Sequence, residues 1–151
     1  MKKRIVLIIL FVSIFVRAFA GEYVYWEDHK RSSSGKGIAH VKICYPKDYK
    51  DNATANDQLM YTMCGMLNAL NNIDYDATIN TTEVHFSNGT FYRIVFFWFN
   101  NEYGAVHCFR GNVSWTEGTP LETISQSSKM YSYDTAYNYY QSQCNKYLNM
   151  L

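Results

Sequence analysis

Three observations predict an α+β fold: a helical apolar period over residues 57–70, apolar and polar alternation in several short segments, and an Asn-Gly pair between two of those segments. The architecture they imply is an antiparallel sheet, a three-stranded meander plus N-terminal strands, packed on one long helix, with a C-terminal helix added. The chain has 151 residues. Residues 21–151 are expected to form a single domain, large enough to bury a core.

The first twenty residues are excluded from that domain. Lys2, Lys3 and Arg4 precede the apolar run Ile5 to Val16 and then Ala18-Phe19-Ala20, the cationic, hydrophobic and small-x-small order of a secretory signal peptide. Cleavage after Ala20 and export to a periplasmic or extracellular space are expected. The run falls short of the roughly 20 apolar residues that a membrane-spanning helix needs, and no later run reaches that length.

In the remaining chain, Tyr23 to Trp26 reads as a short strand and Glu27 to Lys36 as a polar loop. A second strand runs from Ile38 to Tyr45, with Val41, Ile43 and Tyr45 on one face and His40, Lys42 and Cys44 on the other. Leu59, Met63, Leu67 and Leu70 then form the stripe of a helix over 57–70, opened by a capping box from Thr54 to Asp57 and closed by Asn71-Asn72. Asn88-Gly89 lies between Thr82 to Ser87 and Thr90 to Phe99, a hairpin signal, and Gly104 to Arg110 adds the third meander strand. Tyr133, Tyr137, Tyr140, Cys144, Tyr147 and Leu151 recur at helical spacing.

A two-residue turn at Asn88-Gly89 places Val84, Phe86, Phe91, Val95, Phe97, Val106 and Cys108 on one sheet face, expected to take the first helix. The other face then carries Glu83, His85, Tyr92, Ile94, Phe96, Trp98, Tyr103, His107 and Phe109, which the C-terminal helix or a partner must partly cover.

The order strand, helix, three-stranded meander resembles the plan of a cystatin-like sheet wrapped around a helix. The resemblance is one of topology alone. The chain has no Gln-x-Val-x-Gly turn, the segment with which protease-inhibiting cystatins enter a cysteine-protease cleft, and Asn88-Gly89 stands at the first meander turn instead, so no family is assigned.

Cys44, Cys64, Cys108 and Cys144 are even in number in a chain expected to meet an oxidising compartment, which predicts two disulfides. The pairing that suits the expected faces is Cys64 with Cys108 and Cys44 with Cys144. Successive cysteines lie at least 20 residues apart, so no Cys-x-x-Cys clamp for zinc exists. Asn52, Asn80, Asn88 and Asn112 each open an Asn-x-Ser/Thr sequon and are possible glycosylation sites in a eukaryotic or viral secretory route.

A formal net charge of +1, with Lys and Arg scattered, gives no electrostatic footprint for nucleic acid. The 14 Tyr and 9 Phe favour contact surfaces, since Tyr joins a large apolar area to a polar tip. No cofactor is expected and no metal site: His85 and His107 share a face but sit on the outer meander strands, at least about 10 Å apart. The reading is an exported protein that binds another protein non-catalytically, as an inhibitor, immunity factor or host-directed effector, with Tyr92, Trp98, Tyr103 and Trp115 as candidate anchors. A small secreted hydrolase using Glu83 with His85 or His107 is the enzyme alternative. A self-assembling envelope or coat component is the third.

Overall fold

A computed structural model describes residues 22–151. The expected signal peptide and its cleavage point lie outside the described residues. In chain order the elements are β1 (Tyr23–Arg31), β2 (Gly37–Pro46), α1 (Asn52–Asn71), β3 (Ala77–His85), β4 (Thr90–Phe99), β5 (Tyr103–Asn112), β6 (Glu122–Gln126) and α2 (Tyr133–Leu148). The six strands form one sheet in sequence order. Every neighbouring pair is antiparallel except β2 and β3, which run parallel. The fold is therefore α+β with a mostly antiparallel sheet. The expected all-antiparallel arrangement fails at one junction because α1 carries the chain from the end of β2 back to the start of β3, as a crossover helix does.

Helix α1 begins five residues earlier than the expected start at Asp57, because Asp51 rather than Thr54 caps it. Asp51 Oδ1 accepts from the Thr54 amide at 3.0 Å and Oδ2 from the Thr54 hydroxyl at 2.7 Å. Its inner face buries Ala55, Leu59, Met63 and Leu70 against Ala39, Val41, Ile43 and Tyr45 of β2, Ala77 and Ile79 of β3 and Val95 of β4. Burial of Leu59, Met63 and Leu70, worth about 1.5–3 kcal/mol each, fixes the helix on this face.

Helix α2 covers the opposite face. Ser132 caps it, Asp134 in its first turn and Lys146 in its last suit the helix dipole, and Ala136, Tyr140, Cys144, Tyr147 and Leu148 pack on Val84, Ile94, Phe96, Trp98, Val106, Cys108 and Cys44. Within this layer the Tyr140 and Thr82 hydroxyls hydrogen-bond at 2.6 Å. The sheet thus lies between two helices, rather than wrapping around one.

The β3–β4 turn is one residue longer than expected. The Gly89 amide donates to the Phe86 carbonyl, the Phe86 amide donates to the Thr90 carbonyl, and Gly89 takes a φ of +87°, so Ser87, Asn88 and Gly89 all belong to the loop. His85 consequently faces Phe91, where Phe86 had been expected. A one-residue slip exchanges the faces of a strand. Tyr92, Ile94, Phe96 and Trp98 therefore join Val84 and Phe86 under α2, whereas Phe91, Val95 and Phe97 join Glu83 and His85 on the α1 side. Strand β6 had no counterpart in the sequence reading; it pairs with β5 through a bulge at Cys108/Phe109.

The two-disulfide expectation is corrected. All four cysteines are free: Cys64 is exposed on α1, while Cys44, Cys108 and Cys144 are buried in the layer beneath α2. Cys64 and Cys108 lie on opposite sides of the sheet, so the pairing built on a shared face loses its geometric basis. Burial pushes the Cys44 thiol up to about 12 and the Cys144 thiol up to about 11.

Candidate functional site

Along β3 the residues facing α1 change from apolar to polar toward the strand's end, and the last two, Glu83 and His85, organise the site. Glu83 is 0% exposed. Its carboxylate accepts from Gln58 Nε2 at 2.8 Å, Thr62 Oγ1 at 2.9 Å and Arg93 Nε at 2.7 Å, and His85 Nε2 lies 2.9 Å from Oε1. Gln58 and Thr62 stand one turn apart on α1, and Arg93 is the cross-strand neighbour of Glu83 on β4. Desolvation by burial would raise the Glu83 pKa, but the Arg93 charge and the His85 hydrogen bond outweigh it and hold the carboxyl down at about 2. Glu83 is thus an ionised acceptor with four partners.

An ionised carboxylate can only accept, so His85 Nε2 carries the proton of that bond. The ring itself is clamped. It stacks on Tyr45 with centroids 4.8 Å apart and on Phe91 at 4.8 Å, and Tyr45 stacks in turn on Tyr49 at 3.8 Å. Tyr49, Tyr45, His85 and Phe91 therefore form a column of four rings, with Trp26 edge-on to both tyrosines. Gly111 permits the end of this column, because a Cβ there would overlap the Phe91 ring.

Beside the column is an open cavity of about 520 Å³, walled by Tyr45, Tyr49, Thr54, His85, Phe86 and Val113, with Asp48 and Ser87 at its lining. His85 is 3% exposed, and its Nδ1 has no hydrogen-bond partner among the described residues. That atom is not sealed off, since among the described residues the one fully buried side-chain oxygen or nitrogen left without a partner is Thr81 Oγ1. With Nε2 protonated, the neutral form of the ring presents Nδ1 as an acceptor.

No protein-family model matches the chain, and neither a curated protein nor a solved structure matches it. The functional reading rests on this site's own geometry.

The structure brings Glu83 and His85 together but not His107. That ring packs edge-on to Phe97 at 5.0 Å, opposite Val95 in the register, and burial lowers its pKa. Nor do the four aromatic candidates form one exposed patch. Trp98 is 8% exposed in the layer under α2, edge-on to Tyr133, and Tyr92 stacks on Tyr147 at 4.3 Å. Tyr103 is half-buried beneath the Lys129 ammonium, and Trp115 is half-buried in the segment after β5. Of the sequon asparagines, Asn52 and Asn88 are exposed, whereas Asn80 and Asn112 are half-buried. Asn80 lines a polar groove with Glu27, His40, Lys42 and Thr82 beside α2.

Sequence reasoning missed Gln58, Thr62, Arg93, Tyr45 and Tyr49 as site residues. Arg93 carries a signal, being a lone charge inside the apolar run Phe91 to Phe99, which requires a buried counter-charge. Tyr49 carries none, because only the fold brings the β2–α1 loop beside Tyr45.

Proposed function

We propose that the protein is exported after cleavage behind Ala20 and binds another protein non-catalytically, as an inhibitor, immunity factor or host-directed effector. The binding surface in this reading is the cleft at the Tyr45, Tyr49 and His85 end of the sheet. The observation that carries it is a preformed cavity of about 520 Å³, walled in part by Tyr45, Tyr49 and Phe86, in which the His85 ring is held rigid by stacking and by its bond to Glu83. Preformed apolar clefts with few convergent polar groups are where ligands and partner side chains lodge. The Glu83 carboxylate, enclosed by four protein partners, supports a supporting rather than a reacting role, because none of those partners gives way to a substrate without leaving a buried charge.

Affinity capture tests the proposal, with the purified protein as bait against secreted and envelope proteins and a Val113→Trp variant as control. Val113 is exposed at the cleft, so the variant narrows the cleft without touching the core. One stoichiometric partner retained by the native protein and lost by the variant is the expected result; equal retention by both would remove the cleft from the proposal.

One observation favours the hydrolase reading. Glu83 and His85 at 2.9 Å form the carboxylate–imidazole pair that orients a general base. Among the described residues no Ser, Thr or Cys side chain is hydrogen-bonded to His85, so this reading requires water as nucleophile. Hydrolysis of ester or amide substrates that disappears in His85→Phe would establish it in place of non-catalytic binding.

A further inference from the structure

The occupant of the cleft can be named by class from what its walls lack; this inference rests on the binding reading above. His85 is almost wholly buried, and one of its nitrogens is taken by Glu83. The other, Nδ1, is an acceptor in the neutral ring and has no hydrogen bond from the protein among the described residues. A ligand that seals the cleft without offering a donor strips water from that atom and puts nothing in its place.

Charge narrows the choice. The Glu83 carboxylate behind His85 is already balanced by Arg93 at 2.7 Å and so does not draw an ammonium or guanidinium inward, while Asp48, the carboxylate that lines the cleft, is exposed to solvent. A neutral hydroxyl or N–H fits better. The rings narrow it again: the inner faces of Tyr45, His85 and Phe91 are occupied by one another, which leaves ring edges to present sideways. Aromatic edges are electropositive and pack against the face of another ring.

We propose that the cleft receives an aromatic side chain tipped with a neutral hydrogen-bond donor, a tyrosine of the partner protein, whose hydroxyl donates to His85 Nδ1. The partner's phenol ring lies edge-to-face against the column, and its backbone stays at the mouth near Val113 and the exposed Asp48.

Two small probes test this without the partner. The compound p-cresol is the tyrosine side chain with its donor, and 4-methylanisole is the same ring with the donor methylated. Titration of the purified protein, followed by amide and imidazole NMR shifts, is expected to show p-cresol binding at least about fivefold tighter, the scale of one buried hydrogen bond. The shifts are expected around the cleft, with the His85 Nδ1 resonance moving for p-cresol alone. The preference is expected to vanish in His85→Phe, and Val113→Trp is expected to weaken both probes. Equal affinities, an Nδ1 resonance indifferent to p-cresol, or shifts confined to other surfaces would overturn the proposal. The Nδ1 reading comes from the native protein, so it holds even if His85→Phe fails to fold. Failure of the probes with successful capture of a partner would reject the tyrosine and leave protein binding standing; failure of capture would strike the binding reading itself.

Discussion

Glu83 is ionised in a fully buried position because Arg93, His85, Gln58 and Thr62 converge on it, and that has a pH signature. Its folded pKa of about 2 lies below the ordinary carboxylate value of about 4.3. The stability this supplies is fully present above the ordinary value and is lost as pH falls from there toward 2, where the folded state must also take up the proton. Urea midpoints measured from pH 6 down to pH 2 are expected to fall over that window, and Glu83→Gln is expected to flatten the fall. The same variant should lower stability at pH 7 by about 3 kcal/mol, since it leaves Arg93 without its counter-charge. A variant as stable as the parent would mean the network is not holding the site. That Glu83 and His85 share a face was legible from their spacing of two along a strand. Their depth was not, because alternation alone does not tell a wet face from one covered by a helix.

At the scale of elements, period and turn chemistry located five of the six strands and both helices, and the errors have local causes. Asp51 displaced Thr54 as the cap of α1 because its side chain reaches both the amide and the hydroxyl of Thr54. The β3–β4 turn kept Asn88-Gly89 but added Ser87, and that extra residue moved the whole of β4 by one register step. Strand β6 escaped notice because Glu122–Gln126 is mostly exposed and has no apolar alternation. The cysteine reading failed for a different reason: Cys108 keeps its expected face with Val84 and Val106, but α2 rather than α1, which carries Cys64, covers that face. With Cys64 exposed and the other three thiols buried, the reduced native protein is expected to react rapidly with maleimide at one thiol, and at four in denaturant. Rapid labelling of Cys44, Cys108 or Cys144 under native conditions would contradict the α2-side packing.

For the whole molecule, the arrangement of one helix per sheet face settles what the aromatic residues do. Trp98 and Tyr92 belong to the layer under α2, so their size stabilises the domain and does not offer an exposed anchor. Trp98→Ala is expected to cost about 3–5 kcal/mol in chemical denaturation, with no change in partner affinity for the fraction that stays folded. In the proposed reading, recognition falls instead to the end of the sheet where the β2–α1 loop, the end of β3 and the segment after β5 meet. No helix among the described residues is long and apolar enough to cross a membrane.

The most direct test of that assignment is site-specific photo-crosslinking from position 113, at the cleft, and from position 60, where Met60 is exposed on the outer side of α1. The account predicts a partner adduct from position 113 that p-cresol suppresses, and none from position 60. An adduct from position 60 alone, or one from position 113 that p-cresol leaves untouched, would contradict it.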